Sequence, residues 1–217
     1  MKKLINKYGL ANAVISIICC VVFILNCLFI TKDALLNIND NIFVAYLLNF
    51  LAGCEGVFGK WGSMSYSMAI EKLQLWRAVT QAYLHGGIFH LGFNLAALLV
   101  IGKNVEKQFG SATYIMVYHL ITIIDAVIIS FIFTSSVFVG ASGGIFGVIG
   151  IALIMCIKKQ LKFKRSEFIF LIIFSVIANV PAIYAIDTLL THVFGLVLGV
   201  ISGMVLLRQN TSIELNY

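Results

Sequence analysis

The chain has 217 residues, of which 61% are hydrophobic and only 11% are charged. Soluble domains carry about 25% charged residues, so this composition excludes a water-soluble protein and favours several membrane helices of about 20 residues each. The 15 lysines and arginines exceed the 9 acidic residues, but the cytoplasmic loops of a membrane protein account for such an excess, and we expect no nucleic-acid partner. No spacing typical of a metal site is visible, and we expect no metal and no organic cofactor.

Six apolar stretches are near the length needed to cross about 30 Å of hydrocarbon. In chain order they lie at residues 11–30, 84–101, 114–133, 141–157, 168–186 and 189–207. The basic N-terminus before the first stretch would also suit a signal peptide. However, the polar Asn26 and Cys27 stand where small cleavage-site residues are required, so we assign this stretch to the first membrane helix. The sequence therefore predicts a single all-α membrane domain over residues 1–217 with six transmembrane helices.

The distribution of lysine and arginine predicts the orientation of these helices, because positively charged loops stay in the cytoplasm. One side holds only Lys32, Lys60, Lys72 and Arg77, all in one loop. The opposite side holds Lys2, Lys3, Lys7, Lys103, Lys107, Lys158, Lys159, Lys162, Lys164, Arg165 and Arg208. We therefore expect a cytoplasmic N-terminus (residues 1–10), a long outer loop after the first helix (residues 31–83) and a cytoplasmic tail (residues 208–217).

The outer loop contains an apolar stretch, residues 42–58, which is interrupted by Asn49, Gly53 and Glu55. These interruptions predict a segment that lies at the membrane interface or partly re-enters the membrane. A seventh crossing is the alternative, but it would invert every later loop and remove the charge asymmetry.

Few polar or ionisable side chains lie within the predicted helices, and each is a candidate functional residue because such groups are costly in hydrocarbon. They are His85, His90, Asn94, His119, Asp125, Ser142 and His192. The second, fourth and sixth helices all begin on the outer side. This places His90, Asn94, Ser142 and His192 within about two turns of that surface. The four side chains can meet only if these three helices converge.

Glycines indicate how the fourth and sixth helices would approach each other. The fourth carries Gly140, Gly143, Gly144, Gly147 and Gly150, and the sixth carries Gly195, Gly199 and Gly203 at four-residue spacing. Small residues at this spacing permit close backbone contact in lipid. His192 lies three residues before Gly195 and so on the same face, and packing of the two helices would bring it near Ser142.

Ser142 opens the fourth predicted helix, where free backbone N–H groups and the positive end of the helix dipole would stabilise an oxyanion. A neutral imidazole that accepts the hydroxyl proton would make this serine a nucleophile, and His90 and Asn94 could donate further hydrogen bonds to the oxyanion. Structural interpretations are also open: the serine as a helix N-cap, a histidine bonded to a carbonyl, and glycines that serve packing alone.

With five motifs in order over residues 75–203, the chain resembles the rhomboid family of intramembrane serine proteases. The motifs are Trp76-Arg77, His90-x-x-x-Asn94, Gly102-x-x-x-Glu106, Gly140-x-Ser142-Gly143-x-x-x-Gly147 and His192-x-x-Gly195-x-x-x-Gly199. The resemblance implies a six-helix rhomboid-like bundle in the cell membrane. It further implies an endopeptidase that cleaves transmembrane segments of single-span or multi-span membrane proteins within the lipid bilayer.

The resemblance also implies the roles of individual residues. Ser142 is the nucleophile and His192 the general base of a dyad without an acidic third member. The oxyanion and substrate-binding site comprises His90, Asn94, the Ser142 N–H, Gly143 and Phe146.

Other positions follow or depart from the family pattern. Phe146 replaces the tyrosine that usually stacks on the catalytic imidazole, and Thr191 stands where alanine usually precedes the histidine. The resemblance assigns Trp76, Arg77 and Glu106 to folding and not to chemistry.

Two other functions and two residues stay open at this point. A catalytically inactive rhomboid-like protein would bind membrane clients without cleaving them. A small-solute or proton transporter would use His119 and Asp125 as a relay, but the inverted repeat typical of transporters is not visible. Asp125 could also complete a Ser-His-Asp triad, although we favour a buried structural or protonated carboxyl. Pro181, the only proline, is expected to kink the fifth helix near its outer end.

Overall fold

The computed structural model describes residues 8–30, 42–53, 56–180 and 185–214, and these residues form mainly α-helices. The helices are α1 (Leu10–Leu28), α2 (Ile42–Ala52), α3 (Val57–Gly62), α4 (Arg77–Thr80), α5 (Ile88–Ala97), α6 (Lys103–Phe109), α7 (Ser111–Ile132), α8 (Ser142–Ile157), α9 (Arg165–Asn179) and α10 (Ile186–Glu214). A π-helical turn (Leu98–Gly102) joins α5 to α6. Two short strands, β1 (Met64–Ser65) and β2 (Val137–Phe138), pair antiparallel.

Four helical segments in the described ranges are long and apolar enough to cross a membrane: Leu10–Leu28, Ile88–Phe109, Ser111–Ile132 and Ile186–Gln209. Apolar side chains cover the outside of the bundle, and large exposed ones include Ile24, Met116, Leu120, Ile173 and Val197. An exposed apolar surface of this kind suits lipid and not water. The chain is therefore a multi-pass membrane protein built as a helical bundle.

The helix α8 is the centre of this bundle. Its residues 143–152 are all buried, as expected for a helix that is apolar all round. Its contacts with α10 pair Gly143 with Gly195, Gly147 with Gly199 and Ile151 with Gly203. Because the sequence separation is the same in each pair, α8 and α10 are parallel, and α9 has to return the chain to the side on which α10 begins.

Several helix boundaries differ from the prediction. The second span begins at Ile88 and not at residue 84, because Gly87 has a φ of 104° and ends helical geometry there. The same span continues past residue 101 to Phe109. The helix α9 ends at Asn179, and α10 continues to Glu214, beyond the apolar stretch that predicted it. The kink expected at Pro181 lies outside the described residues.

The apolar stretch of the outer loop forms two separate helices, α2 and α3. The 11 residues of α2 extend about 16 Å, which is too short for a membrane crossing of about 30 Å. Asn26, near the end of α1, binds both helices. Its side-chain oxygen accepts the Gly59 N–H at 2.8 Å, and its backbone carbonyl accepts the side-chain amide of Asn49 at 3.3 Å.

Glu106 joins the second span to the start of α1. Its carboxylate accepts the N–H groups of Ala11 and Asn12 at 2.8 and 2.9 Å and the hydroxyl of Ser111 at 2.6 Å. These N–H groups belong to the first turn of α1 and would otherwise lack partners. Asn12 also donates to the carbonyl of Leu98 at 2.7 Å, where the π-helical turn begins. A side chain that donates to a helix carbonyl disturbs the regular backbone hydrogen bonds, and this accounts for the π-helical turn.

Arg77 connects three segments of the loop between α1 and α5 by hydrogen bonds. Its guanidinium is buried and donates to the carbonyl of Ser63 at 2.8 Å, to that of Lys60 at 3.2 Å and to the side chain of Gln74 at 2.7 Å. The neighbouring Trp76 stacks on another tryptophan of the loop, with ring centroids 5.7 Å apart. These contacts are structural, in agreement with the expectation for this motif.

Candidate active site

Ser142 is the first residue of α8 and is half-buried. Gly140, two residues earlier, has a φ of 127°, a conformation that residues with a side chain rarely adopt. The N–H of Gly140 donates to the carbonyl of Gln81 at 2.9 Å, which fixes the turn. Because α8 begins directly after this turn, the N–H of Ser142 is among those that have no partner inside the helix.

The imidazole of His192 lies on the face of α8 that begins with Ser142. Its ring stacks on Phe146 with centroids 4.3 Å apart and an interplanar angle of 17°. Phe146 is one turn after Ser142 on the same helix face. The approach of the two helices depends on glycine, because a Cβ on Gly195 would collide with the carbonyl of Gly143. The structure therefore places Ser142, Gly143, Phe146 and His192 in one region.

The other edge of the His192 ring contacts Asn179, the last residue of α9. The distance from His192 Nδ1 to Asn179 Oδ1 is 3.0 Å. Between Ser142 and His192, both of which the structure describes, no hydrogen bond is formed. Asn179 is not among the predicted site residues, although a polar side chain near the end of an apolar helix is a signal that could have identified it.

His90 and Asn94, both on α5, face the turn before Ser142. His90 accepts the Gly86 N–H on Nδ1 at 3.3 Å, so its proton is on Nε2. That Nε2 atom lies 2.9 Å, and Asn94 Nδ2 3.8 Å, from the position that a Cβ on Gly140 would occupy. Asn94 Nδ2 is buried and has no hydrogen-bond partner among the described residues. Two donors thus converge beside Gly140.

Asp125, on α7, lies close to this site without joining it. A Cβ on Gly143 would collide with its Oδ2 atom, and its buried Oδ1 atom has no partner in the described part of the chain. The Nδ1 atom of His192, which a third triad member would have to bind, contacts Asn179 instead. Asp125 is therefore buried near Gly143 and, among the described residues, is not hydrogen-bonded to His192.

The remaining histidines have other surroundings. His119 donates from Nδ1 to the carbonyl of Ile115 at 2.8 Å and accepts the hydroxyl of Tyr83 on Nε2 at 2.6 Å. Both ring nitrogens of His119 are therefore hydrogen-bonded, one to its own helix and one to Tyr83. His85 is buried against His90, with ring centroids 5.1 Å apart.

A cavity of about 740 Å³ lies between α8, α9 and α10. Phe146, Asn179 and His192 line one part of it, and Cys156 and Lys162 line another. Its other walls are mainly apolar. Across the residues that the structure describes, no group of three or more His, Cys, Asp or Glu side chains is placed to hold a metal ion.

The helical bundle and the polar cluster inside it define an integral membrane protein with a serine and a histidine on neighbouring helices. The family model described as "Rhomboid domain" matches residues 72–209, which is more than half of the sequence. The chain therefore belongs to the rhomboid family.

Three relatives illustrate the range of similarity. RHOMBOID-like protein 6, mitochondrial, of Arabidopsis thaliana is 26% identical over 166 residues, which cover 75% of this chain and 54% of the relative. Rhomboid protease GluP of Bacillus subtilis (strain 168) is 38% identical over 97 residues, 45% of this chain and 19% of GluP. Inactive RHOMBOID-like protein 8 of Arabidopsis thaliana is 28% identical over 106 residues, which cover 49% of this chain and 30% of the relative. The chain thus matches about half or less of the length of each.

Proposed function

We propose that this chain is an intramembrane serine endopeptidase that cleaves the transmembrane segments of other membrane proteins. The observation that supports the proposal most directly is that side chains from α5 and α10 both approach the first turn of α8. His90 and Asn94 supply hydrogen-bond donors beside Gly140, and the buried ring of His192 stacks on Phe146, one turn after Ser142. A serine, a buried imidazole and two donors are the groups that acyl transfer requires.

In the proposed reaction the Oγ atom of Ser142 attacks the carbonyl carbon of a peptide bond while Nε2 of His192 takes the hydroxyl proton. His90, Asn94 and the Ser142 N–H donate to the oxyanion. When the C–N bond breaks, the leaving amine takes the proton from His192 and an ester remains on Ser142. Water then attacks this ester, His192 accepts the water proton and returns it to Oγ, and the carboxylic acid leaves. The hydrogen bond from Ser142 to His192 would form with bound substrate, since catalytic hydrogen bonds often tighten only in the complex.

The proposed substrates are single-span and multi-span membrane proteins. A helix in hydrocarbon keeps its carbonyls hydrogen-bonded, so the cleaved segment has to unwind before Ser142 can reach it. Substrates with helix-destabilising residues near the outer end of the span fit this requirement. Resemblance to the family further implies a small residue, such as alanine, before the cleaved bond.

We further propose six crossings, formed by α1, by α5 with α6, and by α7, α8, α9 and α10, with both termini in the cytoplasm of a cell-membrane protein. The parallel arrangement of α8 and α10 supports a crossing by α9. The excess of lysine and arginine on the side of the termini supports the orientation.

The proposal can be tested by co-expressing the chain with a panel of single-span proteins and comparing cleavage by the wild type and Ser142→Ala. We expect cleavage by the wild type alone. A fluorophosphonate probe should label Ser142 in detergent, and His192→Ala should remove the labelling because the serine loses its base. A chain that folds but neither cleaves any panel member nor reacts with the probe would contradict the proposal.

The second candidate is an inactive rhomboid-like protein that binds membrane clients, which the similarity to Inactive RHOMBOID-like protein 8 favours. It predicts that membrane proteins co-purify with the chain equally well from wild type and Ser142→Ala, with no cleavage product and no probe labelling. The presence of both Ser142 and His192 favours the protease.

A further inference from the structure

We propose that Asn179 is a positioning residue that holds the neutral ring of His192 in the tautomer a general base requires. The inference rests on the proposed function of Ser142 and His192. Asn179 ends α9, a helix separate from the two that carry the serine and the histidine. The hydrogen bond at 3.0 Å between His192 Nδ1 and Asn179 Oδ1 is the contact on which it depends.

A second hydrogen bond fixes the orientation of the Asn179 amide. Its Nδ2 atom donates to the backbone carbonyl of Ser175 at 2.7 Å. Only the NH₂ end of the amide can donate to a carbonyl, so the oxygen end must face His192. An amide oxygen only accepts, and therefore Nδ1 of His192 carries the hydrogen of this bond.

The tautomer of the ring follows from this assignment. A neutral imidazole has one N–H and one lone pair, so a proton on Nδ1 leaves the lone pair on Nε2. The lone pair on Nε2 is the one that can take a proton from a serine hydroxyl. An orienting group on Nδ1 fulfils the same task as the third member of a catalytic triad, which maintains the tautomer and the direction of the ring.

Two contacts together restrict rotation of the ring. Phe146 covers one face at 4.3 Å, and Asn179 holds one edge. His192 is only 4% exposed, so its ring is held mainly by contacts with the protein. The carboxyl of Asp125 lies against Gly143, and within the described residues it makes no hydrogen bond to His192.

The tautomer can be measured directly by ¹⁵N NMR of the full chain in detergent with labelled histidine. The chain has only 4 histidines, and a His192→Gln variant assigns the signal of His192. We expect a protonated Nδ1 and an unprotonated Nε2 in the wild type, and loss of this pattern in Asn179→Leu. A wild-type ring protonated on Nε2, or an unchanged His192 signal in Asn179→Leu, would overturn the proposal.

Kinetics provide a second measurement. Asn179→Leu should lower kcat about 10- to 100-fold with KM within about twofold, since the base and not the substrate loses its partner. Asn179→Asp should restore most of the rate because a carboxylate oxygen accepts the same N–H. An unchanged kcat in Asn179→Leu, or a rise of KM alone, would overturn the inference.

The matched control is Asn104→Leu. Asn104 makes the same type of hydrogen bond to a carbonyl one turn earlier, that of Val100 at 3.3 Å, on α6. Asn104→Leu removes a side-chain-to-carbonyl hydrogen bond of the same kind but none to His192, so it should keep the wild-type kcat. If the wild type itself cleaves nothing, the proposed protease function fails, while the NMR measurement still decides whether Asn179 sets the tautomer.

Discussion

The carbonyl oxygen of Gly147 occupies the space that a side-chain carbon on Gly199 would need. One turn earlier along both helices, the carbonyl of Gly143 has the same relation to Gly195. Backbone contact of this kind is available only to glycine, and it gains the dispersion energy that holds helices together in lipid. Main-chain atoms therefore determine how closely α8 and α10 approach each other. The distance between Ser142 and His192 depends on this approach.

We expect Gly199→Ala to destabilise the protein by about 1–3 kcal/mol, because the added carbon forces α8 and α10 apart. The measurement is thermal or denaturant unfolding in detergent, with cleavage activity recorded alongside. Gly92→Ala, on α5, is the control, since a Cβ there meets no atom within 4 Å. It should be neutral or stabilising by up to about 1 kcal/mol. Equal effects of the two substitutions would contradict the packing interpretation.

Asn94→Leu should lower kcat about 100- to 1,000-fold, the usual loss when one oxyanion donor is removed. The free energy of unfolding should stay the same or rise, because Asn94 Nδ2 is buried without a hydrogen-bond partner among the described residues. Steady-state cleavage and unfolding in detergent check the two parts. A variant that unfolds more easily and still cleaves would show that Asn94 is structural.

Glu106→Ala should destabilise the protein by about 2–4 kcal/mol without a specific effect on the rate per folded molecule. The substitution leaves the N–H groups of Ala11 and Asn12 unpaired in a buried place. Glu71→Ala removes a carboxylate from an exposed position and should change stability by no more than about 0.5 kcal/mol. Unfolding midpoints of the two variants provide the comparison, and similar midpoints would refute the role given to Glu106.

Asp125→Asn should leave cleavage within a few-fold of the wild type. The amide has the same shape as the carboxyl and removes the cost of burying an ionisable group whose Oδ1 atom has no partner in the described chain. We therefore also expect equal or higher thermal stability. Abolished cleavage by a folded variant would instead identify Asp125 as a member of the catalytic group.

The residue types and spacings of the site could be predicted because membrane helices contain few polar groups. Ser142 and His192 stood out against apolar neighbours, and four-residue glycine spacing predicted the helix pair that the structure shows. The assignment of Glu106 to folding came from the family resemblance, and its contacts with the start of α1 are of that kind. The length of the apolar stretches gave most helix centres correctly.

Other features depend on contacts that no local pattern encodes. Hydropathy predicts an apolar helix at α9, but it does not predict that the last residue of this helix, Asn179, contacts the ring of His192. The π-helical turn at Leu98 depends on a side chain from α1, more than eighty residues away in sequence. Helix ends outside hydrocarbon, such as that of α10, have no apolar signal to mark them.

The short pairing of β1 with β2 joins the outer loop to the segment just before Ser142. Main-chain hydrogen bonds of a two-residue ladder are indifferent to the side chains that flank them. Val137 is exposed, so its side chain can be exchanged without displacing Ser142, whereas Met64 is fully buried in a small core against which Phe138 packs. The main chain, and not the identity of residue 137, therefore keeps this segment in place before Ser142.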